Sequence, residues 1–244
     1  MTRVLVTGAS GGIGAAIASV LAARGASIVL HCQSNRAAAE AGLRRLAGSG
    51  HELLQADLTD PQAIERLWHD ADSQHPIDAL VNNAGIFPNH PPLTTDYAGW
   101  TAAWQRTLAI NLSGPAYLSY FAARAMVERR SGGRIVSVSS RSAFRGEPVA
   151  PAYAASKAGL NAFSQSMAKA LAPEGVYVFV VAPGWVSTAR VAKAIADEAV
   201  IADQPLGRVA TPEEVAQAVT FCVLDAPASM TGAILDVNGA SYLR

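Results

Sequence analysis

Short, nearly unbroken apolar runs alternate with helix-forming stretches along this chain, and that alternation restricts the fold more than any other feature. The runs are RVLVT (3–7), SIVLHC (27–32), ELLQAD (52–57), DALVNN (78–83), GRIVSVSS (133–140), VYVFVVAPG (176–184) and GAILDVNG (232–239). Between them lie helical patterns at 12–25, 36–48, 60–71, 98–130, 153–172 and 211–224. Asp60 followed by Pro61 is an N-cap with proline at the first helical position, and TPEE (211–214) reads as a capping box. Strands that are apolar at consecutive positions bury both faces, which a parallel sheet covered by helices on both sides provides. The pattern predicts an α/β fold: one doubly wound parallel sheet of about seven strands, spanning 1–244 as a single domain.

Half of the 244 residues are hydrophobic, enough for a large core. Lys plus Arg equals Asp plus Glu at 19 each, so net charge recommends neither nucleic acid nor an anionic membrane as partner. No apolar run approaches the roughly 20 residues of a membrane span, and no signal-peptide pattern opens the chain. Cys32 and Cys222 are too far apart in sequence to suggest a disulfide framework, and a cytoplasmic setting is expected. The five histidines, at 31, 51, 69, 75 and 90, lack metal-ligand spacing and are expected at the surface or in loops.

VTGASGGIG (6–14) falls between the first strand and the first helix, where a Rossmann-type fold binds pyrophosphate. Glycine there lets the main chain approach a phosphate, and the helix N-terminus offers unpaired N–H donors. Gly8, Ser10, Gly11, Gly12, Ile13 and Gly14 are the candidates. After the second strand, a carboxylate would accept bonds from a ribose 2′-hydroxyl and repel a 2′-phosphate. This chain has no acid there but Gln33, Ser34, Asn35 and Arg36, which favours NADP(H) while still admitting NAD(H).

In APAYAASKAG (150–159), Tyr153 and Lys157 are four residues apart in a small-residue helix, so a phenol and an ammonium share a face. A nearby cation lowers a phenol's pKa from its ordinary value of about 10, which suits proton transfer near neutrality.

Taken in order, these segments resemble the short-chain dehydrogenase/reductase family. TGASGGIG (7–14) is similar to its cofactor turn, NNAG (82–85) to its motif after the fourth strand, and YAASK (153–157) to its Y-x-x-x-K motif. AINLSGP (109–115) carries its asparagine, Ser140 precedes Tyr153 by 13 residues, and PGWVST (183–188) resembles its nicotinamide-binding segment. Residues 205–219 and 230–244 are most similar to the 3-oxoacyl-[acyl-carrier-protein] reductase branch.

The resemblance implies Asn111, Ser140, Tyr153 and Lys157 as catalytic residues. Tyr153 would donate the proton, Lys157 would assist it and bind ribose, Ser140 would hold the carbonyl oxygen, and Asn111 would hold a relay water. It implies cofactor contacts from Asp57, Leu58, Asn83, Ala84, Gly85, Pro183, Gly184, Val186 and Thr188, besides Tyr153 and Lys157 themselves. Ser140, Phe144 and Trp185 are candidate substrate contacts, with a substrate loop at about 187–205, and no metal is implied.

The implied reaction is NADPH-dependent reduction of a β-keto group, a 3-oxoacyl thioester first. Oxidation of a sugar, polyol or other secondary alcohol is the alternative, and a non-catalytic cofactor sensor ranks last. A homotetramer is implied, built on 98–130 and 153–172.

Some positions depart from the branch. Gly11 stands where many NADP-preferring relatives carry Arg or Lys, Phe179 replaces a common Asn, and Ala240 replaces a second glycine. Glu174 occupies a position where those reductases present a basic residue to the acidic carrier protein. Arg129 and Arg130 still offer a basic spot, so acyl carrier protein as a partner stays open.

Overall fold

The computed structural model describes residues 1–243, apart from the side chains of Arg190, Lys193 and Ala194. Those three side chains, in the expected substrate loop, and Arg244 lie outside the described residues. Seven strands form one parallel sheet: β1 (Arg3–Val6), β2 (Ser27–Cys32), β3 (Glu52–Gln55), β4 (Ala79–Asn82), β5 (Gly133–Val138), β6 (Val176–Pro183) and β7 (Ile234–Val237). Their order is β3-β2-β1-β4-β5-β6-β7. The chain therefore runs outward from β1 in one direction, then returns to continue from β4 in the other. The crevice at that reversal, beyond the C-terminal ends of β1 and β4, is where such folds take a ligand.

Helices α1 (Gly12–Ala23), α2 (Arg36–Leu43), α3 (Pro61–Ser73), α4 (Tyr97–Leu108), α5 (Gly114–Glu128), α6 (Ser142–Arg145) and α7 (Pro151–Leu171) come before β6. Short α8 (Ala192–Ile195) and α9 (Glu198–Ala202) follow β6, and then α10 (Pro212–Thr220). Period-2 alternation divides the core. Val4, Val6, Ile28, Leu30 and Phe179 face Ile17 and Leu21 of α1 and Val215 and Val219 of α10. Leu5, Val29, Leu80 and Ile135 face Ile64, Leu67 and Trp68 of α3 and Leu118 and Met126 of α5. Phe179 is a fully buried core ring with the Arg134 guanidinium 5.8 Å from its centroid, so the departure noted at this position is absorbed by packing.

Several expected boundaries move. The helix expected over 36–48 ends at Leu43, because GSG (48–50) and its neighbours turn instead. The single stretch at 98–130 is two helices joined by a wider π-turn, Ala109–Ser113. The Tyr/Lys helix starts two residues early, at Pro151, whose fixed φ suits a first turn. The capping box at Thr211 and Glu214 forms as expected, and Arg208 binds the same carboxylate at 2.7 Å. That Arg208 contact, with the Thr211 main-chain N–H, holds the Glu214 carboxyl down at about 2. Among the described residues, no helix is long and apolar enough to cross a membrane.

Candidate functional site

The crevice at the reversal opens into a cleft of about 1100 Å³, large enough for a dinucleotide and a small substrate. One end is walled by Gly8, Ser10, Gly11, Gly12, Ile13 and Gly14, with Gln33, Ser34, Asn35 and Leu58 beside them. Asn83, Ala84 and Gly85 form the floor, and Pro183, Gly184, Val186 and Thr188 the far side. Ser140, Tyr153, Lys157 and Trp185 also line this cleft. Motifs spread over 180 residues of sequence thus meet in one place.

Close main-chain packing holds the glycine end. Gly8 has φ +66, and a Cβ on it would come within 2.8 Å of Ala84 Cα. A Cβ on Gly14 would overlap the Gly8 carbonyl oxygen and come within 2.5 Å of Asn83 Nδ2. The Thr7 hydroxyl accepts from the N–H groups of Asn83 and Ala84, both at 3.0 Å, and donates to Val81 O at 3.2 Å. Asn83 Nδ2 donates back to Thr7 O and Gly8 O. These bonds tie the turn after β1 to the turn after β4. The resulting cradle has no side chains at Gly11 and Gly12 to obstruct a pyrophosphate, and its donors sit at the N-terminus of α1, so the residues present fit a dinucleotide.

His31 was expected at the surface but is buried beneath this turn. It accepts the Gly8 N–H on Nδ1 at 3.2 Å and contacts Ala56 O through Nε2 at 3.1 Å, which makes Nε2 the protonated nitrogen. Burial pushes its pKa below the ordinary value, against the opposing bond to Ala56. His90 lies in a loop, one of the two settings expected for it, but is buried there. Its Nδ1 bonds Pro88 O at 2.7 Å, and its Nε2 accepts the Ala152 N–H at 3.1 Å, pinning the loop after β4 to the start of α7. A histidine ring has a donor and an acceptor on opposite edges, so it can bridge two buried main-chain groups, which a count of metal spacings does not detect.

On α7, Lys157 is buried, donates to Val138 O at 2.8 Å, and its Nζ sits 5.8 Å from the Tyr153 ring centroid. Phe87 packs edge-on against Tyr153 with centroids 4.7 Å apart. Asn111 is fully buried in the π-turn; its amide exchanges bonds with the N–H and C=O of Ile86 at 2.9 and 3.0 Å and donates to Ser156 Oγ at 3.1 Å. Both polar ends of that side chain are thus occupied by protein. The two adjacent serines separate: Ser139 donates to Lys157 O at 3.3 Å, whereas Ser140 accepts the Ser142 N–H at 3.1 Å. Among the described residues, no protein acceptor takes the Ser140 hydroxyl proton, so it can point into the cleft.

Besides the fully buried Asn111, three expected contacts fall outside the cleft lining. Arg36 is an exposed ion pair with Glu40 at 2.9 Å, one helical turn on. Asp57 accepts the N–H and hydroxyl of Thr59, both at 2.9 Å, which holds its carboxyl below the usual range in a local turn. Phe144 stacks on Tyr242, with ring planes 10° apart, and is turned to the C-terminal segment instead of the substrate space. Arg129, expected as part of a basic spot, is bound to Asp72 at 2.8 Å and to Ile77 O. Sequence reasoning missed Phe87, Asn89, Arg141 and Glu147, which do line the cleft. Arg141 adjoins Ser140 in sequence; the others had no motif to mark them.

A doubly wound parallel sheet with a glycine-lined dinucleotide cleft, lined as well by a serine, a half-buried tyrosine and the buried lysine one helical turn on, defines an NAD(P)-dependent oxidoreductase. The short chain dehydrogenase family model matches residues 2–199. The chain belongs to the short-chain dehydrogenase/reductase family. It is 37% identical over 246 residues to the 3-oxoacyl-[acyl-carrier-protein] reductase of Escherichia coli K12, covering 98% of this chain and 96% of the relative. It is 40% identical over 240 residues to cis-4-hydroxycyclohexanecarboxylate dehydrogenase of Sinomonas cyclohexanicum, covering 96% of this chain and 94% of the relative. A solved 3-oxoacyl (acyl-carrier-protein) reductase from Agrobacterium tumefaciens with NADP bound superposes with TM-score 0.89 at 34% identity, covering 98% of this chain and 93% of that one.

Proposed function

We propose that this protein catalyses NADPH-dependent reduction of a β-keto carbonyl, with a 3-oxoacyl thioester as the substrate. The observation that carries the reading is the convergence of Ser140, Tyr153 and Lys157 on one cleft wall, opposite a cradle that fits a dinucleotide. A bound nicotinamide supplies the hydride. Ser140 donates a hydrogen bond from its hydroxyl to the carbonyl oxygen, keeping its own proton, and fixes that oxygen's position. Tyr153 passes its phenolic proton to that oxygen, and the Lys157 ammonium stabilises the phenolate left behind. Asn111, with both ends of its amide spent, acts by clamping Ile86 and Ser156; a relay water would be held by main chain in the widened π-turn, a feature frequent at functional sites.

Preference for NADP(H) over NAD(H) rests on Gln33, Ser34 and Asn35, which line the cleft without any carboxylate among them. Asn35 caps α2 through Oδ1, accepting from Ala38 N at 3.2 Å, and this leaves its amide donors for a 2′-phosphate. The Agrobacterium reductase with NADP bound supports the same choice. Thioester recognition does not extend to a carrier protein on these grounds, because Glu174 is exposed and Arg129 is neutralised by Asp72. Exposed Tyr117 and Tyr120 on α5 support a homotetramer formed through that face.

Oxidation of a secondary alcohol is the second reading. It is favoured by the charged side chains Arg141 and Glu147 in the substrate part of the cleft, where a purely aliphatic acyl chain would gain nothing. Initial rates of NADPH and NADH oxidation with acetoacetyl-CoA test the proposal. A rate at least about tenfold faster with NADPH is expected. NAD-linked oxidation of a polyol or ring alcohol, with no thioester reduction, would replace the first reading with the second.

A further inference from the structure

Arg141 is unlike the other arginines of the chain. It follows Ser140 directly, lines the same cleft, and has a side chain only 10% exposed. Its N–H donates to Pro183 O, so the residue is fixed between the ends of β5 and β6. One guanidinium nitrogen, Nη1, bonds Ser241 Oγ at 2.5 Å and reaches Asp203 Oδ2 at a long 3.4 Å. Nε and Nη2 make no hydrogen bond to any described residue. The Trp185 ring, on the cleft wall, lies 6.0 Å from the guanidinium carbon.

The charges around it do not cancel it. Asp203 is half exposed, and the same oxygen is shared with Arg145 at 3.2 Å, so one carboxylate serves two guanidiniums. Glu147 also lines the cleft, but its Oε2 accepts from Ser142 Oγ at 3.2 Å. Lys157 adds a further cation deeper in the cleft. The balance shows in the direction of the Arg141 pKa. Burial first, and then Arg145, push it down, outweighing the opposing pull of Asp203 and Glu147. A cation removed from water and short of negative charge is one that a bound anion would stabilise.

We propose that Arg141 selects a substrate that carries a carboxylate besides its reacting carbonyl. This inference rests on the reading of the cleft as a carbonyl-reduction site, and it narrows that reading's substrate class. Nε and Nη2 lie on one edge of the guanidinium and present two parallel donors, the fork that matches the two oxygens of a carboxylate. Trp185 supplies an apolar face for the carbon skeleton between the two groups. Within the β-keto class the favoured members are therefore keto acids and thioesters whose acyl chain ends in a carboxylate, rather than long alkyl chains.

The test is kcat/KM with NADPH for matched pairs: acetoacetate and 4-oxopentanoate, each against its methyl ester. The wild type is expected to prefer at least one acid over its ester by about tenfold or more, the scale of a charge-assisted hydrogen-bond pair. In Arg141→Met that ratio falls to about one or below, through KM, and Arg141→Lys keeps part of it. Asp203→Asn raises the ratio, since it removes the competing carboxylate; a purely structural Arg141 would give no such rise. A wild-type preference for the esters, or equal losses on acid and ester in Arg141→Met, would overturn the proposal.

If the wild type turns over neither acid nor ester, the rate with acetoacetyl-CoA decides the carbonyl-reduction reading, and binding decides this inference separately. Calorimetric titration with cyclohexanecarboxylate and with cyclohexanecarboxamide requires no turnover. Tighter binding of the carboxylate, abolished in Arg141→Met, supports the proposal; equal binding of the two overturns it.

Discussion

At the nucleotide end of the cleft the wall is mostly main chain, whereas at the substrate end it is mostly side chain. Gly8, Gly12, Gly14, Ala84 and Gly85 expose peptide groups, and the Thr7, Asn83 and His31 side chains lock those peptides to one another. Phe87, Arg141, Glu147 and Trp185 instead project from loops and from the ends of β5 and β6. A main-chain cradle is demanding, because every added atom meets backbone that cannot retreat. A side-chain wall can change its lining while the strands behind it stay in register, which is how one fold serves many substrates.

The largest effect that would break this contrast is expected at Gly14. Its added methyl meets the Gly8 carbonyl and the Asn83 amide, both fixed by hydrogen bonds. Overpacking typically costs about 1–3 kcal/mol, and here the obstacle is backbone. Gly14→Ala should therefore lose NADPH binding in a fluorescence titration. Unchanged affinity would mean that the cradle is softer than its contacts indicate.

Gly11 is the converse case within the same turn. Its backbone is extended (φ 177) and a Cβ there meets nothing within 4 Å, so a side chain fits without strain. Gly11→Arg should favour NADPH over NADH by about a further tenfold, as one charge-assisted contact to a 2′-phosphate would. An unchanged ratio of the two dissociation constants would place the 2′-phosphate elsewhere.

A pH dependence sharpens the account of His31. Its folded pKa is depressed, so the unfolded chain binds more protons as pH falls past the unfolded value of about 6.5. Stability from this group is thus fully present above that pH and declines toward the folded value. Urea midpoints of the wild type should drop on the acid side by an increment that His31→Gln lacks. Equal acid slopes would remove His31 from the account.

The smallest effect is expected in the C-terminal segment, outside the cleft lining. Ala240 adopts φ +61, a left-handed conformation that costs a residue with a Cβ about 1–2 kcal/mol. Ala240→Gly should raise stability, by about 1 kcal/mol at most once the added freedom of the unfolded glycine is subtracted. Destabilisation would show that the methyl group packs usefully there.

The same contrast explains what was legible in the sequence. Apolar runs such as VYVFVV (177–181 with Val176) dictated a doubly buried parallel strand whatever surrounded them, and the glycine turn required its place after β1. Tyr153 and Lys157 were legible because i,i+4 spacing is local geometry. Arg36, Asp57 and Phe144 lie outside the cleft lining because spacing fixes a backbone position but not a rotamer, and each has a partner in Glu40, Thr59 or Tyr242. His31, His90 and Arg141 escaped because each has a partner 23 to 100 residues away, brought close only by the fold.

The most direct test of the central claim is the turnover of Tyr153→Phe, with NADPH binding measured on the same preparation. The account predicts that NADPH still binds, while kcat for the best carbonyl substrate falls by about 10²–10⁴, the range for a lost general acid. A variant that binds NADPH and turns over at near the wild-type rate would contradict it.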